Sequence, residues 1–309
     1  MFAPVASATT AAEGLMEAAA DAHVGWLLAA VCLHVAGQLS RGLAWGAVLD
    51  AAWPGVVSLR RACAWHVCGA GLTGVLSPRG GDIVRISLAK RELPGANWPA
   101  LAGTLAAEGS FELASGVVLA VAALAIGLGG LHAPSAELIG GVAVAAMALT
   151  LVARRSPRLR RVVSEVGRGL AVLREPRRFV RRVLPWQIAG RLLRFASLGC
   201  FLLAFGLPAT PAVILAASIT QGSGRMLPIP GAGTAAAAGA LLAVLPVAAG
   251  HPVDASAVGA LAVTQPALLT LLGITVSLAL LAVLVGARTP RALMRAARGL
   301  SAEPAAAKP

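Results

Sequence analysis

Long apolar blocks almost free of charge run through this chain: Leu113 to Gly130, Leu138 to Ala153, Leu198 to Leu207 and Leu268 to Gly286. A helix rises 1.5 Å per residue, so about 20 such residues cover the roughly 30 Å core of a bilayer. Only helices and closed barrels satisfy their backbone groups in lipid, and blocks of this length point to helices. Composition agrees. Hydrophobic residues make up 58% of the 309 and charged residues 13%, against about 45–50% and 25% in ordinary soluble domains.

The charge that remains is placed between the blocks. The net charge is +13, with eleven arginines between Arg154 and Arg182 and four more (Arg288, Arg291, Arg295, Arg298) after the last block. A nucleic-acid reader would carry its basic residues on a folded polar face with base-reading partners, so no nucleic acid is expected. The pattern is that of a cytoplasmic loop and a cytoplasmic tail. Met1 to Asp21 carries Glu13, Glu17 and Asp21 and no basic residue. It lacks the charged start of a cleavable signal, and the first apolar segment is expected to stay in the mature protein.

The expected fold is all-α, a polytopic transmembrane helical bundle with re-entrant or broken helices. Its parts are a polar N-terminal segment over 1–22, a single transmembrane domain over 23–286 with a basic cytoplasmic loop at 154–184, and a basic cytoplasmic tail at 287–309. Candidate spans are Val24 to Leu49, Ala100 to Gly130, Ala136 to Ala153, Pro185 to Leu207 and Ala257 to Gly286. Two stretches are shorter and broken. Ala62 to Ser77 ends in Ser77-Pro78-Arg79-Gly80-Gly81-Asp82, and Pro211 to Ala249 is interrupted at Gln221 to Arg225 and at Pro228 to Gly231.

With the acidic N-terminus outside, the basic patches at Arg60–Arg61 and Arg79–Arg91 both fall inside, which makes Ala62 to Ser77 re-entrant. The final block must then run inward, so Pro211 to Ala249 begins and ends outside as a hairpin turning at Pro228 to Gly233. Irregular backbone at membrane depth survives only where protein or a watery cavity surrounds it. Two such elements from opposite faces would resemble the broken helices of transporters; ordinary kinked helices packed through Gly and Pro are the alternative.

In the basic loop, Leu159, Val162, Val163, Val166, Leu170 and Leu173 fall at helical spacing with arginines largely opposite. Such a helix would lie on the anionic inner leaflet, or it is simply a run that sets topology.

Charge at the bilayer centre costs about 2.5–3.5 kcal/mol on insertion scales, so each instance needs a reason. Glu108 and Glu112, four apart, project from one face of a helix, which requires a cation between them or a proton on one. Arg85, Arg191, Arg194 and Arg225 are candidate partners, with Arg191 expected to snorkel to the inner interface. Arg225, among glycines before Leu227-Pro228-Ile229-Pro230, could seat a lipid phosphate. In the earlier break, Gly80 and Gly81 let the chain turn, Asp82 can cap the following helix, and Arg79 and Arg85 offer cationic contacts. The alternative for this segment is a solvated, capped loop.

Catalytic signals are sparse. Cys32, Cys63, Cys68 and Cys200 sit in apolar segments, and the five histidines are scattered. Cys63 and Cys68 flank His66 without zinc-site spacing. No Gly-Lys-Ser phosphate loop occurs, so neither a cofactor nor a catalytic metal is expected.

Three stretches taken together resemble a known family: Gly74-Val75-Leu76-Ser77-Pro78-Arg79-Gly80-Gly81-Asp82-Ile83-Val84-Arg85, the pair Glu108 and Glu112, and Leu227-Pro228-Ile229-Pro230-Gly231-Ala232-Gly233. Their order and spacing are similar to the lysylphosphatidylglycerol synthase transmembrane-region family, over about Leu27 to Val285. The resemblance implies a polytopic bacterial inner-membrane protein of flippase-like type. It carries Arg85 onto the arginine after the family's Pro-Gly-Arg-Ala-Gly-Asp-like segment, and Glu108 onto the Glu of its Glu-Arg pair. Gly109 stands where the family usually has Arg, and no Glu follows Gly233. The resemblance does not extend to a soluble aminoacyl-transferase domain, so lipid synthesis is not implied.

The expected function is therefore a lipid translocator rather than an enzyme, moving a phospholipid or polyprenyl-phosphate-linked lipid. Arg79, Asp82, Arg85, Glu108, Glu112 and Arg225 would line its head-group cavity. The expected partners are membrane lipids, and the alternative is a non-catalytic partner of a glycosyltransferase or lipid-modifying enzyme.

Overall fold

The computed structural model describes residues 17, 19–76, 80–125, 157–224 and 232–285. Among these the chain is all-helical. Four helices are long and apolar enough to cross a membrane: α1 (Val24–Ala52), α4 (Trp98–Ala125), α8 (Leu184–Ala204, extended from Pro176 by a short turn) and α11 (Ala255–Val285). Four of the expected spans thus start and stop within a few residues of the helices observed. The fifth, Ala136 to Ala153, lies outside the described residues.

Between α1 and α4 come α2 (Leu59–Leu76) and α3 (Gly80–Glu92), which pack against one another. At 18 and 13 residues they reach about 27 and 20 Å, and α3 is too short to span. Arg61, at the start of α2, ion-pairs with Glu92, at the end of α3. The two arms therefore begin and end together, in the shape of a re-entrant hairpin. Between α8 and α11, α9 (Pro211–Gly224) and α10 (Ala232–Ala249) form a second packed pair. Its expected tip falls largely on residues 225–231, outside the described residues, and α10 already begins at Ala232.

The chain therefore repeats one plan, a long helix, a helical hairpin and a second long helix. The terminators repeat as well. Glycines with left-handed φ follow α1 (Gly55, +73°), α3 (Gly95, +63°), α8 (Gly206, +67°) and α10 (Gly250, +74°), where a side chain would strain the backbone. The closing helix of each repeat is capped by a preceding polar side chain. Asn97 Oδ1 accepts from the Ala100 amide at 2.9 Å, and Asp254 Oδ1 from the Ser256 amide at 2.9 Å.

The basic loop is helical. α5 (Pro157–Gly169) is followed by α6 (Ala171–Arg174), α7 (Pro176–Arg178) and a π turn over Phe179–Val183 that leads into α8. Val162 and Val163 on α5 are uncovered by protein, at 42% and 45% exposure.

The described residues fall into two compact units. One lies within Met1–Gly37, Gly109–Arg161 and Ala189–Leu268, the other within Gln38–Glu108, Val162–Ile188 and Leu269–Pro309. In the second, Trp45, Leu49, Trp65, Ile86, Leu101 and their neighbours form the main apolar cluster, and Val172 and Val183 pack with Ala44, Val48 and Ala107. Small residues set its close approaches. A Cβ on Gly71 would collide with the Gly273 carbonyl and the Ser277 hydroxyl, and one on Gly169 with the Ala100 carbonyl. In the first unit, Ala123 and Ala216 are buried with Leu215, Ile219, Val244 and Ala248 around them.

Candidate functional site

Among the described residues, the most deeply buried charge belongs to the second unit, in a cluster assembled from four helices. One face of α1 presents Arg41 and, one turn on, Trp45. On α4, Thr104 and Glu108 are likewise one turn apart, and α3 supplies Asp82 and Arg85 at i,i+3. His66 comes from α2.

Arg85 sits at the centre, with its side chain 9% exposed. Its Nη1 donates to Glu108 Oε2 at 2.8 Å and approaches His66 Nδ1 at 2.9 Å, and its Nη2 lies 2.9 Å from Asp82 Oδ1. The guanidinium carbon stands 5.1 Å from the centre of the Trp45 ring, a cation–π geometry. Trp45 is held in turn by its Nε1, which donates to Thr104 Oγ1 at 3.1 Å, and by edge contact with Trp65 at 6.4 Å and 74°. Glu108 is 3% exposed, and its second oxygen accepts from Arg41 Nη2 at 3.2 Å. Removing one member of such a buried pair leaves an uncompensated charge and costs about 3–5 kcal/mol.

The hairpin geometry explains why Arg85 arrives there. Gly80 and Gly81 do not form a turn; both lie inside α3. Gly81 instead allows close packing, because a Cβ there would meet the Gly69 carbonyl oxygen and the Thr73 hydroxyl of α2. Asp82 likewise is not a cap. It lies in the first turn of α3, half exposed, and pairs with Arg85.

Glu112 ion-pairs with Arg191 of α8, and both belong to the first unit. Arg191 also donates to Ser115 Oγ at 2.6 Å and is 17% exposed. Glu108 is met by Arg41 and Arg85, and Glu112 by Arg191. Two of the expected site residues, Arg79 and Arg225, lie outside the described residues.

Sequence reasoning missed Arg41, His66 and Trp45. The signal for Arg41 was present, since a lone arginine inside the apolar run Val24–Ala52 needs a partner. Gly109, where the resemblance led one to look for a partner to Glu108, faces open space. The compensation comes instead from α1 and α3, 67 and 23 residues away.

The first unit holds an uncharged counterpart. Gln265 lies ten residues into α11, as Glu108 lies ten residues into α4. It is 8% exposed and accepts from Gln221 Nε2 of α9 at 2.9 Å. Among the described residues no group of three His, Cys, Asp or Glu side chains could hold a metal ion.

Comparison with known proteins agrees with this architecture. No curated protein and no solved structure matches the chain. The family model described as the lysylphosphatidylglycerol synthase TM region matches residues 2–264. With most of its length matched and several membrane-length apolar helices, this chain is a membrane protein belonging to the lysylphosphatidylglycerol synthase transmembrane-region family.

Proposed function

We propose that the protein moves a lipid between membrane leaflets, taking the polar head group at the Arg41–Arg85–Glu108 cluster while the tails stay in the bilayer. The observation that carries this reading is the cluster itself. Arg85 and Glu108 are buried and Arg41 is partly exposed, where the first hairpin meets α1 and α4. Charge in such a place is expensive and marks substrate pathways. A helix too short to span, α3, supplies Arg85, as discontinuous helices supply the binding sites of transporters. Guanidiniums suit phosphate, so the substrate class is a phospholipid or a polyprenyl-phosphate-linked lipid. On this reading the protein acts as a carrier, its cluster offering charge and hydrogen-bond donors to a head group.

On this reading the basic loop faces the anionic inner leaflet of the bacterial plasma membrane. The arginines around α5 and its uncovered Val162 and Val163 are the amphipathic pattern suited to that surface.

The test is leaflet exchange of fluorescent lipids in vesicles containing the purified protein. Exchange of one phosphate-bearing class, lost in Glu108→Gln and in Arg85→Ala, is expected. Exchange of no lipid by a folded protein would overturn the reading. It would favour a non-catalytic partner of a lipid-modifying enzyme instead.

A further inference from the structure

His66 carries a hydrogen-bond donor that the fold leaves unused. An arginine guanidinium only donates, so the 2.9 Å contact from Arg85 Nη1 makes His66 Nδ1 an acceptor. The imidazole is therefore neutral with its proton on Nε2, because a protonated ring would have no acceptor to offer. His66 is 4% exposed, and Nε2 is buried with no hydrogen-bond partner among the described residues. Arg85 Nε, on the residue it touches, is a second buried donor in the same condition. Buried donors are nearly always satisfied, and an orphaned one calls for an explanation.

The surroundings set the chemistry of what would satisfy them. Arg41 and Arg85 lie within electrostatic reach of His66 together with Glu108. Both Glu108 oxygens are already engaged by guanidiniums, and Asp82 by Arg85. The groups left over are donors, and Glu108 and Asp82 already balance the two guanidinium charges. A donor ligand is disfavoured there, and an acceptor oxygen is favoured, a charged one making the stronger hydrogen bond.

We infer that His66 Nε2 is an oxyanion ligand that receives a phosphate oxygen, the group binding directly to the histidine. The assignment deepens the lipid-carrier reading and rests on it for the source of the phosphate. Arg85 thus holds the histidine in the tautomer that donates, and Glu108 holds Arg85.

The test separates binding from transport. The full chain in detergent is titrated with dihexanoyl phosphatidylglycerol, with dihexanoylglycerol lacking the phosphate, and with inorganic phosphate, while leaflet exchange is measured separately. The short-chain phospholipid is expected to bind and the phosphate-free lipid not to. His66→Asn keeps an acceptor at the δ position for Arg85 and removes the ε donor. It is expected to weaken phospholipid binding about tenfold, equivalent to about 1.4 kcal/mol. His66→Gln, which places an amide N–H at the ε position, should recover part of the loss. Undiminished binding in a folded His66→Asn protein would overturn the oxyanion site even if exchange persists.

A measurement on the unaltered protein removes any dependence on how the variants fold. The imidazole Nε2–H resonance should move downfield when the phospholipid is added, and an unmoved resonance at saturation would equally overturn the proposal. Binding that needs the ε donor, in a protein that exchanges no lipid, would keep the oxyanion site and refute the carrier reading. Inorganic phosphate binding as tightly as the phospholipid would likewise keep the site and identify free phosphate as its ligand.

Discussion

Arg85 Nη1 lies 2.8 Å from Glu108 Oε2, and this buried ion pair joins the second arm of the first hairpin to the middle of the long helix that follows it. Because both side chains are nearly inaccessible, each is the other's main compensation for lost hydration.

Breaking the pair from one side should therefore be worse than removing it whole. Glu108→Leu is expected to destabilise the protein by about 3–5 kcal/mol. The double variant Arg85→Met with Glu108→Leu should recover much of that and still exchange no lipid. Thermal melting in detergent, alongside vesicle exchange, reads both. A double variant that exchanges lipid normally would remove the pair from the transport path.

Gly81→Ala tests the approach of α3 to α2. The added methyl meets the Gly69 backbone oxygen as well as the Thr73 side chain. Overpacking of this kind costs about 1–3 kcal/mol. Thr73→Ala in the same chain should not restore the melting temperature, because the backbone contact persists. Full rescue by Thr73→Ala would assign the clash to the side chain alone.

The second pair should matter less to stability. Glu112 and Arg191 are 34% and 17% exposed at the side chain, against 3% and 9% for Glu108 and Arg85. Greater access to water weakens an ion pair and lowers the cost of losing it. Arg191→Met should lower the melting temperature by less than Arg85→Met, and the reverse order would contradict this ranking.

The first turn of α11 should respond to acid. The Ser256 hydroxyl and amide hold the Asp254 carboxyl below the usual carboxylate range. A depressed folded value means that the cap's contribution is complete above the ordinary carboxylate pKa. It is lost as pH falls through the lower folded value. Hydrogen exchange of the α11 start should quicken over that window in the parent protein and be pH-independent there in Asp254→Asn. Identical profiles would show that the cap contributes nothing.

Spin labels at Val162 and Val163 should report lipid contact in vesicles containing anionic lipid, and less of it in neutral vesicles, as expected if α5 lies on the leaflet. Labels that are equally water-accessible in both would show a solvated loop.

What was legible in the sequence is what depends on short stretches of chain. The extents of α1, α4, α8 and α11 follow from apolar length. The need of Glu108 for compensation could be read from its depth in an apolar run. Its partners could not, because Arg41 and Arg85 reach it from two other helices and no spacing rule links residues 67 apart. Nor could spacing assign Arg191 to Glu112, because it lies 79 residues away on another helix.

The sequence by itself determined that this chain lives in a membrane, as long helices with two interrupted hairpins, because lipid enforces length, polarity and backbone satisfaction one segment at a time. Only the tertiary structure decided which charges meet and which donor of His66 stays free. Those outcomes turn on where Gly69 and Gly81 let α2 and α3 touch, an approach measured in tenths of an ångström between residues of separate helices.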